Sequence, residues 1–143
     1  MQLVSENNPI LYERALEVFD VKTEVLSILC EFETILTSNS GIGLAAPQTG
    51  ISKRFFITKV IPGMPKLYIN PSIEASSLRC EDCEEGCLSK IGFKAVINRP
   101  VEVQVCYLNV QGELKREKLR GISARVFQHE LDHGVAVTET EFL

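Results

Sequence analysis

Much of what would give a chain of this length an obvious assignment is missing. No stretch approaches the run of about eighteen apolar residues that a membrane span needs, and residues 1–20 carry no basic segment followed by an apolar one. A spanning helix and a secretory leader are therefore not expected, and the chain reads as cytoplasmic. A basic excess is also lacking. With 15 Lys and Arg against 19 Asp and Glu the formal net charge is −4, which leaves little to displace counterions from phosphates, so nucleic acid is not an expected partner. The cysteines do not form an even set: there are five, at Cys30, Cys80, Cys83, Cys87 and Cys106, which fits a reducing compartment better than a disulfide framework. No repeat, linker or low-complexity tract interrupts the sequence, and 143 residues suffice for one well-filled core, so residues 1–143 read as a single domain.

Histidine is scarce as well, and its placement carries information. The only two, His129 and His133, lie four residues apart in Gln-His-Glu-Leu-Asp-His, with Glu130 directly after the first. On a helix, positions i and i+4 share a face, so both imidazoles can address one metal ion. Glu130 lies about 100° round the helix, close enough to reach a water at that metal without being a ligand. This is the geometry of metal-assisted hydrolysis, and a third ligand must come from elsewhere in the chain.

The rest of the pattern supplies a frame for that helix. Val21, Val25, Ile28, Leu29, Phe32, Ile35 and Leu36 follow three-and-four spacing and predict one amphipathic helix from Val21 to about Ser38–Ser40, with Asp20 as its N-cap. Residues Arg54–Val60 and Lys66–Asn70 read as strands, the second ending at Pro71. Val101, Val103, Val105 and Tyr107 alternate with more polar neighbours, as in a half-buried strand. A turn at Asn109–Gly112 then leads into a charged, exposed arm, Glu113–Leu119. The last helix should start at Ile122 or Ser123, send Ile122, Val126 and Phe127 into the core, and stop before Gly134, leaving Val135–Leu143 as a closing strand or loop. Helix, several strands, then helix is an α+β arrangement with antiparallel strands packed around the metal-binding helix.

Two further stretches lack a routine structural explanation. Gly41-Ile-Gly-Leu-Ala-Ala-Pro-Gln48 is too glycine-rich for a regular strand, its small residues would let a ligand backbone approach, and it does not match the dinucleotide-binding pattern. Glu85-Gly-Cys-Leu-Ser89 offers Cys87 beside a glycine and a carboxylate. The competing idea is a structural zinc held by Cys80, Cys83 and Cys87, but no second Cys-x-x-Cys completes such a site and the histidine pair would go unused.

In this order, Gly41–Gln48, Glu85–Ser89 and His129–His133 resemble the three motifs of the peptide deformylases, and the resemblance covers nearly the whole chain. It implies removal of the N-formyl group from the formylmethionine that begins newly made polypeptides, with release of formate. The implied metal ligands are Cys87, His129 and His133, with a water in the open fourth position. The ion is iron(II) by preference, with zinc or nickel able to substitute. Glu130 is the implied general base, and the Gln48 side-chain amide with the Leu88 backbone N–H the implied donors to the developing oxyanion.

The same resemblance sets the peptide along residues 41–44 as an added strand, with Ile42, Gly43, Glu85 and Gly86 as binding positions. Ile42, Ile122 and Val126 are the candidates for the methionine slot. Arg125 either caps that slot or faces solvent, and Asp132 is expected to pair with Arg99, fixing the metal helix to the sheet. Lys90, Ile91 and Gly92 depart from the family's usual apolar residue and proline after the cysteine motif, and Lys94 stands where arginine is common. With Leu143 ten residues beyond His133, the chain looks like the short, phage-encoded type that lacks a C-terminal helix. A monomer is expected, acting on formylated nascent chains without docking to the ribosome through such a helix. Two other classes compete with this reading: a metal hydrolase of another amide, and a noncatalytic peptide-binding or zinc-stabilised module.

Overall fold

The computed structural model describes residues 1–87 and 90–134, with the backbone alone for Cys87, residues 90–93 and Gly134. Five strands, β1 (Gly43–Ala45), β2 (Phe55–Thr58), β3 (Lys66–Ser76), β6 (Glu102–Leu108) and β7 (Leu114–Arg120), form one antiparallel sheet in the order β1-β2-β3-β6-β7. Strands β4 (Cys80–Cys87) and β5 (Lys90–Pro100) form a separate two-stranded antiparallel ribbon. Helix α1 spans Leu29–Ser38 and helix α2 spans Gly121–Gly134. The α+β class expected from the sequence is the observed one.

Alternation along the central strands divides the core in two, because successive side chains point to opposite faces of a sheet. Phe55, Ile57, Leu67 and Ile69 pack with Val25, Phe32, Ile35 and Leu36 of the α1 region. Phe56, Tyr68, Val103, Val105 and Tyr107 pack with Ala124 and Phe127 of α2. With both faces covered, β2 is buried along its whole length, and Phe55-Phe56-Ile57 is continuously apolar for that reason. β6 behaves as its alternation predicts, burying Val103, Val105 and Tyr107, and β7 is exposed along most of its charged arm.

Four expectations need correction. The first helix is interrupted: Lys22–Leu26 is a π-helical turn, and α1 begins only at Leu29. Glu24 folds back to accept the backbone N–H groups of Phe19 and Asp20, both at 2.7 Å, and tightens the entry into that turn. Second, β3 runs on through Pro71. Its register with β6 shifts between Ile69 and Ser72, so the proline sits in an irregularity where the ladder does not need its missing N–H. Asn70 there has φ 49° and holds the Val18 N–H and C=O with its side-chain amide, each at 2.8 Å. Third, the glycine-rich stretch does contain a strand, the short β1. Fourth, α2 includes Gly134, and Ile122 is 54% exposed rather than in the core. The closing segment expected over Val135–Leu143 lies outside the described residues.

Candidate active site and metal centre

The first turns of α2 meet the sheet through Phe127, which is fully buried against Phe56 and Tyr68 with ring centroids 5.1 and 5.0 Å away. That contact turns the adjacent face of the helix, Arg125, His129 and His133 at four-residue spacing, toward the β4–β5 ribbon. Between the ribbon, the helix and the chain entering β1 lies a cleft of about 300 Å3. One wall is Gly41, Ile42 and Gly43, the opposite wall is Cys83 to Gly86, and Ile122, Arg125, Val126, His129 and Glu130 form the floor. β1 is the edge strand of the five-stranded sheet, so its outer side is not covered by another strand of that sheet.

His129 and His133 are both buried, at 7% and 5% exposure, with ring centroids 5.3 Å apart. His129 Nδ1 is 2.8 Å from Glu85 Oε1, so the carboxylate fixes the tautomer with the proton on Nδ1 and directs Nε2 as the ligating nitrogen. A histidine oriented by a carboxylate in this way is the usual arrangement at a divalent metal. Among the described residues no three His, Cys, Asp or Glu side chains converge as a ligand set. The side chain of Cys87, the expected third ligand, and the whole of Leu88 lie outside the described residues, although β4 runs as far as Cys87. Were Cys87 to join the two imidazoles as expected from the sequence, the donor set would suit iron(II), zinc or nickel.

Glu85, expected against the peptide, lies in the cleft wall with its carboxylate turned to the chain's own groups. Both its oxygens are taken: Arg99 Nε and Nη2 donate at 2.8 and 2.9 Å, Arg125 Nη1 donates to Oε2, and His129 occupies Oε1. With no oxygen left to offer a substrate, it holds His129 in place. Burial alone would push this carboxyl up, but the hydrogen bonds from His129 and Arg99 and the positive charge of the Arg99 guanidinium outweigh that and hold it at about 2. Arg99 Nη1 also donates to Asp132 Oδ2 at 2.8 Å, the pairing expected from the sequence. Arg125 does not face solvent: it lines the cleft with its charged head turned to the ribbon. Its guanidinium reaches Glu85, the Ile97 carbonyl at 3.0 Å and the Glu81 carbonyl at 2.7 Å. Sequence reasoning underrated it, although its spacing of four from His129 places it on the metal face.

Glu130 is the opposite kind of carboxylate. It is 4% exposed, and its Oε2 has no hydrogen-bond partner among the described residues. Desolvation pushes it up to about 7, with His129 pulling the other way. Gly43 is a glycine because of it: a Cβ there would lie 2.6 Å from Glu130 Oε1. The space that the missing Cβ leaves is filled by the chain's own carboxylate. Gln48, 1% exposed, accepts the Ala45 N–H at 2.8 Å through Oε1, which assigns its NH2 as the donor end. Ile42 and Ile122, half exposed, and buried Val126 give the cleft its apolar lining, and Gly86 lies on the opposite wall.

These features agree with three comparisons. The family model described as polypeptide deformylase matches residues 1–141. A peptide deformylase of Thermotoga neapolitana is 43% identical over 126 residues, which is 88% of this chain and 76% of that one. Among solved structures, peptide deformylase from Thermotoga maritima superposes with a TM-score of 0.92 at 37% identity, covering 97% of this chain and 94% of the other. A probable peptide deformylase from Synechococcus phage S-SSM7 gives 0.91 at 32% identity, covering 99% and 98%.

Proposed function

The chain belongs to the polypeptide deformylase family, and we propose that Cys87, His129 and His133 hold its metal ion, with Glu130 as general base. It is a metal-dependent hydrolase of protein biosynthesis that removes the N-formyl group from the formylmethionine of nascent polypeptides. When bound, the metal supplies Lewis acidity, making hydroxide available at neutral pH and polarising the formyl carbonyl. The residue assignment rests above all on one observation: Glu130 presents a buried carboxylate oxygen, unpartnered among the described residues, at the floor of the cleft, next to His129 and pressed against Gly43.

The formylated peptide enters as an added strand beside β1, its backbone bonding at Ile42 and Gly43 on one side and at Gly86 on the other. Ile42, Ile122 and Val126 receive the methionine side chain. Glu130 takes a proton from the attacking water and passes it to the nitrogen as the carbon–nitrogen bond breaks, so formate and a free amine leave. The Gln48 NH2 and the Leu88 N–H donate to the oxygen that becomes negative. Glu85 holds the His129 ring throughout. Iron(II) is the metal we assign in the cell, with zinc or nickel able to replace it. A single catalytic domain over residues 1–143, working as a monomer in the cytoplasm where formylated chains are made, completes this reading.

The test is formate release from a formyl-Met-Ala-Ser peptide by protein purified without oxygen and loaded separately with iron, nickel and zinc. Release should be rapid in at least one form and stop on chelation. Glu130→Gln should keep its metal and lose at least about a hundredfold in turnover, the usual worth of a general base. Near-normal turnover of that variant would remove Glu130 from the mechanism.

A further inference from the structure

We propose that Arg125 is a positioning and specificity-determining residue: it sets the width of the slot for the first side chain of the peptide by tying α2 to both strands of the ribbon. The inference rests on the deformylase reading of the cleft, within which the sequence left Arg125 without a defined role. Its guanidinium reaches three groups on two strands: the Glu85 carboxylate and the Glu81 carbonyl on β4, and the Ile97 carbonyl on β5. The planar fork of an arginine can hold such a divergent set in one geometry, which the point charge of a lysine cannot.

The same residue lines the cleft beside Ile122 and Val126, and its side chain is only 13% exposed. A cation in the floor of an apolar slot would ordinarily be costly, yet here the charged head is committed to the ribbon. What remains to face the slot is the methylene stem, which packs as an apolar surface. Arg125 therefore serves twice. Its stem completes the apolar lining, and its head fixes how far the wall carrying Cys83 to Gly86 stands from Ile42 and Ile122. A slot of fixed width admits an unbranched side chain such as methionine and resists a broad one such as phenylalanine.

The experiment compares the metal-loaded wild type with Arg125→Met, which keeps a similar stem but no donors, and Arg125→Lys. Formate release is measured with formyl-Met and formyl-Phe peptides, together with amide hydrogen exchange over residues 80–86 and metal content. Arg125→Met should raise KM for the formyl-Met peptide about tenfold, more than it lowers kcat, and narrow the preference for Met over Phe by a similar factor. Exchange over residues 80–86 should rise while metal content holds. Arg125→Lys should restore little of this, because a single ammonium cannot span the three acceptors. Unchanged selectivity in an active Arg125→Met enzyme would overturn the proposal, as would full rescue by lysine. Hydrogen exchange separates the two readings: a wild type that released no formate would sink the deformylase assignment, while unchanged exchange in Arg125→Met would by itself sink the clamp.

Discussion

Helix α2 is held on two sides by contacts of different kinds. Toward the sheet it buries Ala124 and Phe127 among Phe56, Tyr68, Val103 and Val105, an apolar surface with ring packing but no charge. Toward the ribbon the contacts are polar: Asp132 to Arg99, Arg125 to Glu85 and two carbonyls, Gln128 Nε2 to the Pro100 carbonyl at 3.0 Å, and His129 to Glu85. Among the ribbon residues with described side chains, only Glu85 and Arg99 are buried, and both are charged. Apolar packing is non-directional and decides where the helix lies. Charge-assisted hydrogen bonds are directional, and they decide how the His129 ring is turned. The body supplies the position of α2, and the ribbon supplies its aim.

The largest effect expected from breaking this contrast is on the apolar side. Phe127→Ala removes a fully buried ring from between two others and should cost about 3–5 kcal/mol, read as a lower midpoint in urea denaturation of the whole molecule. A loss under about 1 kcal/mol would mean that α2 is not anchored through this ring. On the ribbon side Arg99→Met leaves Asp132 short of its partner and Glu85 with only Arg125 and His129. Breaking a buried pair from one side costs about 3–5 kcal/mol, and the surviving partners should bring this nearer to 2. The loss should also be local: hydrogen exchange should quicken in β4 and β5 before it does in α2 or β2. Uniform acceleration would show that ribbon and body open as one unit.

The same contrast explains what could be read from the sequence. β6 and the histidine face of α2 were legible because their spacing is periodic: Val103, Val105 and Tyr107 two apart, His129 and His133 four apart. The ribbon was not, because its described buried positions are Glu85 and Arg99, which no apolar alternation marks. The Asp132–Arg99 pair was foreseen, yet the carboxylate it shares Arg99 with was expected against substrate; nothing in a linear sequence distinguishes a saturated carboxylate from an open one. Likewise Gly43 was recognised as a point of close approach for a ligand backbone, but not for Glu130, which reaches it from 87 residues away through the packing of α2 on β1. The run of β3 past Pro71 was hidden because a proline normally ends a strand, unless the register shifts there as it does against β6.

The smallest effect expected concerns a charged contact of the body that lies away from the ribbon and is only partly buried. Glu24 meets Lys53 Nζ at 2.7 Å and accepts the N–H groups of Phe19 and Asp20, and the Lys53 contact with these two bonds holds its carboxyl at about 2, below the ordinary 4.5. A carboxyl lowered by folding stabilises the fold above its unfolded value, and that contribution is lost as pH falls from 4.5 through about 2. Because these contacts are confined to the entry of the π-helical turn, acid should loosen that entry without unfolding the sheet. Followed by NMR, the amide protons of Phe19 and Asp20 should shift with a midpoint near 2, and Glu24→Gln should abolish that titration while leaving the amides of β2 unmoved. A midpoint at the ordinary glutamate value would show that Glu24 does not close this turn in solution, and the interruption of the first helix would then need another cause.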